Sequence, residues 1–239
     1  MIDVVSICKK VLVRLSSVDY EMGSDKNLSE QLIFPNKVQK TGDVERISEQ
    51  ELRLLFIEEF KKTYPQYSYS IETPTVYKYS FGQSYTDIKI NTIGQSASLD
   101  MCIFKKELND YQRLLNIEFK HKNTSIKNIG KDILKLMYEK ENGVFIHLLN
   151  NTNSITFCNK NETGIFNKLF TSFFDFQKHW NGENDKSIRL IILSLKQKKL
   201  IHRSIFKSDL PNLEDIFFIK TGCGNIDSIT SNNWNLETL

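Results

Sequence analysis

Residues 96–122 read SASLDMCIFKKELNDYQRLLNIEFKHK, and the two apolar runs inside them, 99–104 and 114–119, decide the fold. Both runs are short and bounded by polar residues, which predicts neighbouring strands joined by the polar connection 105–113. Asp100 stands near the start of the first run; Glu118 and Lys120 stand at the end of the second. Side chains alternate along a strand, so Glu118 and Lys120 share one face while Phe119 packs the other way. If the strands pair, two carboxylates and an amine converge on one sheet face, an arrangement suited to a metal ion with a cation beside it.

Asp100 followed on the next strand by Glu118-Phe119-Lys120 resembles the core of the PD-(D/E)XK nuclease superfamily, the fold of many restriction enzymes. Leu99 stands where the family name has proline. The same Glu-Phe-Lys tripeptide recurs at Glu59–Lys61, on what reads as the exposed side of a helix, so strand context and Asp100 carry the specificity. The resemblance implies an α/β fold with a restriction-endonuclease-like core: a central mixed β-sheet flanked by helices in the order α-β-β-β-α-β. It spans residues 48–149.

The elements around the motif follow that order. Ser-Glu-Gln-Glu at 48–51 predicts a capping box and a helix start. Leu52, Leu55, Phe56 and Phe60 then share one helical face, with Pro65 as a stop. On this helix Glu51 is either a cap alone or, as the resemblance implies, a further acid at the metal site. Residues 67–73 read as a first strand limited by Pro74, and 87–93 as another strand-like piece. Glu72 and Asp87 are rival acids, set behind Asp100 because neither lies one hairpin before Glu118. The small residues 94–97 suit either a turn or the approach of a phosphate backbone. After Lys120, Ile126, Ile129, Ile133, Leu136 and Met137 mark a helix that tolerates Gly130. Lys127, Lys131 and Lys135 form a basic stripe along it, continuing from Lys122; a solvated face and a nucleic-acid contact are both open.

Beyond the motif, Val4 to Leu15 predicts an amphipathic helix within a poorly patterned extension, 1–45, packed on the nuclease-like core at 46–160. A C-terminal part, 161–239, completes the same domain. Residues 143–149 read as a buried strand and 155–158 as a strand beside it. The Phe-rich stretch 165–180 reads as a helix packed on the sheet. Residues 188–206 read as a hairpin whose tip, with Lys198 and Lys199, is a second candidate nucleic-acid contact. Residues 214–220 suggest a last strand and 225–239 an irregular end.

Composition bounds the class. The 239 residues are 40% apolar and 26% charged, ordinary for a globular protein, and 16 phenylalanines favour a filled core. A net charge of +3 leaves nucleic-acid binding to local patches. Cys8, Cys102, Cys158 and Cys223 lack Cys-x-x-Cys spacing, and they read as reduced thiols of a cytoplasmic protein. The four histidines lack metal-ligand spacing. No leader or membrane span is expected, the densest apolar run being too short.

By the resemblance, Asp100 and Glu118, with the main-chain oxygen of Phe119 and with Glu51, would hold Mg²⁺, for which Mn²⁺ would substitute. Lys120 would orient or activate the attacking water. The expected activity is phosphodiester hydrolysis, as a DNA endonuclease in a bacterial defence or restriction-like system, with RNA an open substrate. A homodimer would serve cutting of both strands, and a regulatory partner would restrain it. The rivals are a nucleic-acid-binding or scaffold protein that keeps the fold without catalysis, and an interaction module docking through the Phe-rich helix.

Overall fold

A computed structural model describes residues 2–21, 30–37, 44–158 and 163–239; the remainder of the expected extension, residues 1, 22–29 and 38–43, lies outside the described residues. Helix α1 (Val4–Leu15) opens the chain, its N-terminus capped by the Asp3 carboxylate accepting from the Ser6 amide. Two short pairings follow, β1 (Asp19–Tyr20) with β2 (Ile33–Phe34) and β3 (Asn36–Lys37) with β4 (Val44–Glu45). Helix α2 (Glu49–Thr63) starts in the expected capping box. Then come β5 (Ser68–Ser80), β6 (Lys89–Ile90), β7 (Gln95–Lys106), β8 (Tyr111–His121), α3 (Ile126–Tyr138), β9 (Asn142–Leu149), α4 (Ser154–Cys158), α5 (Ile165–Phe176), β10 (Ser187–Ser194), β11 (Lys199–Phe206), α6 (Leu213–Ile216) and β12 (Asn235–Thr238).

The fold is α/β, with one mixed eight-stranded sheet in the order β12-β11-β10-β9-β8-β7-β5-β6. Strands β8, β9 and β10 are parallel and the flanking neighbours antiparallel. Parallel neighbours need crossovers, which α3 and α5 supply. The sheet divides two cores. Val144, Ile146 and Leu148 of β9 face the core built by α1 and α2, while Phe145 and Leu149 face the one built by α3 and α5. Strands buried on both faces lose polar alternation, which is why 143–149 and 188–195 read as continuous apolar runs. Phe119 sits edge-on to Phe56 of α2, ring centroids 5.3 Å apart. Burying each such ring contributes roughly 1.5–3 kcal/mol.

Several local expectations are corrected. Strand β5 continues through Pro74 rather than ending there, because its register with β7 shifts between Pro74 and Lys78, where a residue without an amide proton is tolerated. Residues 87–93 yield only the two-residue β6. The 155–158 segment is helical, not a strand. Residues 214–220 form the short α6 and a turn, and the last strand lies instead in the Asn-rich end, as β12 on the edge of β11. Cys158 and Cys223 are joined in a disulfide, closing 65 residues of chain, so only Cys8 and Cys102 are the free thiols expected of all four. Glu59 of the second tripeptide is buried against Arg14 of α1 rather than exposed, at 3.0 Å. Among the described residues no helix is long and apolar enough to cross a membrane.

Candidate active site

The β7–β8 hairpin brings the motif together. Met101 lies opposite Ile117, so Asp100 and Glu118 fall at adjacent positions one step further along. Asp100 Oδ2 accepts the Phe119 amide hydrogen at 2.7 Å, which clamps the carboxylate against the Glu118-Phe119-Lys120 segment. Alternation slips here: Leu99 packs with the α3/α5 core and Met101 with the α1/α2 core. On the neighbouring strand β5, Glu72 has φ +48°, a left-handed conformation unusual for a non-glycine residue. Its carboxylate meets Arg53 Nη1 at 2.6 Å, and the same nitrogen lies 3.9 Å from Asp100.

Glu118 and Lys120 point toward α3, where two charged residues complete the cluster: Asp132, not singled out in the sequence, and Lys135, expected there as part of the basic stripe. Lys135 Nζ lies 2.5 Å from Glu118 Oε1 and 3.0 Å from Asp132 Oδ1; Lys120 Nζ lies 2.8 Å from Asp132 Oδ2. Lys120 also donates to the Phe119 carbonyl at 2.7 Å, and Glu49 of α2 lies 3.8 Å from its ammonium. Burial, reinforced by Asp132 and Asp100, pushes the Glu118 carboxyl well up, with Lys135 opposing. Burial acts against the Lys120 charge, but Asp132, Glu118, Asp100 and Glu49 outweigh it and raise its pKa. Lys135 is raised in the same way by Glu118 and Asp132. Burial raises Glu49, while Lys120 draws it down.

No family model, curated protein or solved structure matches this chain.

The other expected residues fall in different places. Glu51 accepts from the Ser48 amide at 2.8 Å within the capping box, and Glu49 is the α2 acid beside Lys120. Asp87 accepts from the Gln83 and Ser84 amides and caps a turn. The basic stripe is not one solvated face. Lys127 donates to the carbonyls of Gly82 and Gln83, Lys131 lies over the Phe81 ring at 5.2 Å, and Lys135 is buried in the ion cluster. Lys135 is therefore not presented to an outside backbone. Lys122 and Lys198 are exposed, and Lys199 pairs with Asp227. The Lys122 amide bonds Leu148 O and the Leu195 amide bonds Leu149 O, so Lys122 and the 195–198 turn sit along the carboxyl ends of β8, β9 and β10. Ligands favour that edge in α/β sheets.

The donor set fits a hard divalent ion. Asp100, Glu118 and the Phe119 carbonyl offer oxygen alone, and Glu118 Oε1 is buried without a well-directed hydrogen bond. Among the described residues no three His, Cys, Asp or Glu side chains are gathered as a preformed metal group; ammonium groups lie between the carboxylates.

Proposed function

We propose that the chain is a metal-dependent nuclease that hydrolyses phosphodiester bonds, most simply a DNA endonuclease of restriction-like type. The observation that carries this reading is the bond from the Phe119 amide to Asp100, which fixes the acid of one strand against the Glu-x-Lys segment of the next. The element order supports it: with the two-residue edge strand β6 set aside, α2, β5, β7, β8, α3 and β9 run α-β-β-β-α-β, with those four strands side by side in the sheet. The left-handed Glu72 beside Asp100 adds the local backbone strain that collects at functional sites.

In this reading Asp100 and Glu118, with the Phe119 carbonyl, hold a divalent ion, Mg²⁺ or Mn²⁺. The ion would supply Lewis-acid stabilisation of charge on the phosphate and on the entering and leaving oxygens. Lys120, its pKa raised by four surrounding acids, stays an ammonium; it acts by donating to a phosphate or water oxygen rather than as a free base. Arg53, bonded to Glu72, adds positive charge 3.9 Å from Asp100. The exposed Lys122 and Lys198 lie along the edge that a nucleic-acid backbone would follow, and such contacts make binding salt-sensitive.

A second reading follows from the same cluster. Each buried carboxylate already faces a cation, as in a fold that keeps its charges for stability and binds nucleic acid without cutting it. Incubation of the purified protein with circular and linear DNA and with RNA, in Mg²⁺, Mn²⁺ or EDTA, separates the two. Metal-dependent cleavage that falls by about 10²-fold or more in Lys120→Ala is expected. Salt-sensitive binding with no cleavage in any metal supports the second reading instead.

A further inference from the structure

Two ammonium groups fill oxygen cages at the candidate site. Lys135 Nζ is 2.5 Å from Glu118 Oε1, 3.0 Å from Asp132 Oδ1 and 2.8 Å from Ser98 O. Lys120 Nζ is held by Asp132 Oδ2 and Phe119 O, with Glu49 beyond. Each cage is built of carboxylate and main-chain oxygens, the donor set of hard cations. Asp132 gives one oxygen to each cage and so bridges them. The inner cage is sealed: the Glu118, Asp132 and Lys135 side chains are 1%, 7% and 8% exposed. Glu118 Oε1 has a cation at 2.5 Å yet no well-directed hydrogen bond, so charge carries the Glu118–Lys135 contact, while Lys135 donates a hydrogen bond to Ser98 O. Around both cages Glu49, Asp100, Glu118 and Asp132 face Lys120 and Lys135, and Arg53 is shared between Glu72 and Asp100.

We propose that Asp132 is a third acid of the cation site and that Lys135 is its resident counter-ion, competing with a divalent metal for Glu118 and Asp132. This rests on the metal-dependent reading above. A divalent ion that takes Glu118 must share or displace the ammonium, so Lys135 sets the affinity for metal. Methionine in its place keeps an unbranched stem of similar length and removes the charge. Glu118 and the Ser98 carbonyl are then left without a cation and Asp132 keeps only Lys120, and a divalent ion is the species that relieves them.

The test is Mn²⁺ binding, read from the electron paramagnetic resonance signal of free Mn²⁺, by the full chain as wild type, Lys135→Met, Lys135→Arg and Lys135→Met/Asp132→Asn, with circular dichroism to report folding. Lys135→Met is expected to bind about tenfold tighter or more than wild type, since repulsion of a divalent ion by a neighbouring charge is removed. Lys135→Arg keeps the charge and the wild-type affinity, and the double variant loses the gain. Lys135→Met that is unfolded alone but folds on adding Mn²⁺ also supports the proposal, because the metal then replaces the ammonium. Binding no tighter than wild type by folded Lys135→Met, failure to fold even with Mn²⁺, a gain of similar size in Lys135→Arg, or a gain that survives Asp132→Asn overturns it. Cleavage assays on the same samples keep the two readings apart. Tighter Mn²⁺ binding with no cleavage by any variant overturns the nuclease and leaves Lys135 as counter-ion, whereas cleavage by wild type without a gain in Lys135→Met overturns only the counter-ion.

Discussion

His147 lies opposite Lys120 in the β8–β9 ladder, wholly buried on the sheet face that carries the ion cluster. Its Nε2 is 2.6 Å from the Lys122 carbonyl and therefore donates, which leaves Nδ1 as a buried acceptor without a partner. Burial pushes its pKa down to about 3, with the Lys122 carbonyl opposing and Lys120 adding to the fall. In the unfolded chain a histidine titrates near 6.5. The folded value is the lower one, so below about pH 6.5 the unfolded state takes a proton that native His147 refuses until about pH 3. The stability present above pH 6.5 is lost as pH falls through that window, at about 1.4 kcal/mol per pH unit. Urea unfolding of wild type and His147→Gln between pH 7 and 4 should show curves that diverge by this slope; parallel curves would mean that His147 is not held neutral. At this scale Glu118 and Lys120 were legible in the sequence, since alternation along β8 puts them on one face, and the short β7–β8 connection brings Asp100 beside them although alternation slips there. Asp132, Lys135 and Glu49 were not. Lysines four apart read as an exposed stripe until the packing of α3 over β8 turns one of them inward.

Gly130 shows where an element obeys its neighbours rather than its own propensity. Glycine in a helix interior costs about 1 kcal/mol relative to alanine, and α3 carries it in mid-helix. A Cβ at Gly130 would lie 2.6 Å from Cε2 of Tyr85, with Ile88 close behind. The Tyr85 ring is itself fixed, donating to Asp175 at 2.9 Å and packing on Phe176 of α5. It cannot swing away cheaply. Gly130→Ala should therefore destabilise the protein, by about 1–3 kcal/mol, the usual cost of overpacking, against the propensity gain. The urea midpoint reads the sign directly, and a higher midpoint would show that the Tyr85 ring yields. The same helix ends on another tertiary contact. Glu139, fully buried, accepts from the Val76 and Tyr77 amides and the Tyr79 hydroxyl, and pairs with Arg113. That anchor lies at the register shift in β5, so α3 and the irregular strand hold each other.

Across the whole molecule, the disulfide from Cys158 at the end of α4 to Cys223 beyond α6 ties the C-terminal segment to the crossover between β9 and β10. A loop of 65 residues so closed restricts the unfolded chain, an effect of about 4 kcal/mol in the chain-entropy account. Reduction with dithiothreitol, or Cys223→Ser, should lower the unfolding free energy by up to that amount; an unchanged urea midpoint would deny the bond a stabilising role. Its pairing was invisible in the sequence, because spacing along the chain carries no information on which cysteines meet in space. The sequence by itself determined the capping box at Ser48, the β7–β8 hairpin, the apolar β9 and β10, and the meeting of Asp100 with Glu118 and Lys120. Each follows from local periodicity or from a short connection. Only the tertiary structure decided that Pro74 stays within a strand, that 235–238 joins the sheet edge, and that Asp132 and Lys135 close over the Glu-x-Lys segment. Those outcomes depend on contacts between residues far apart in the chain, where burial and charge pairing outweigh local preference.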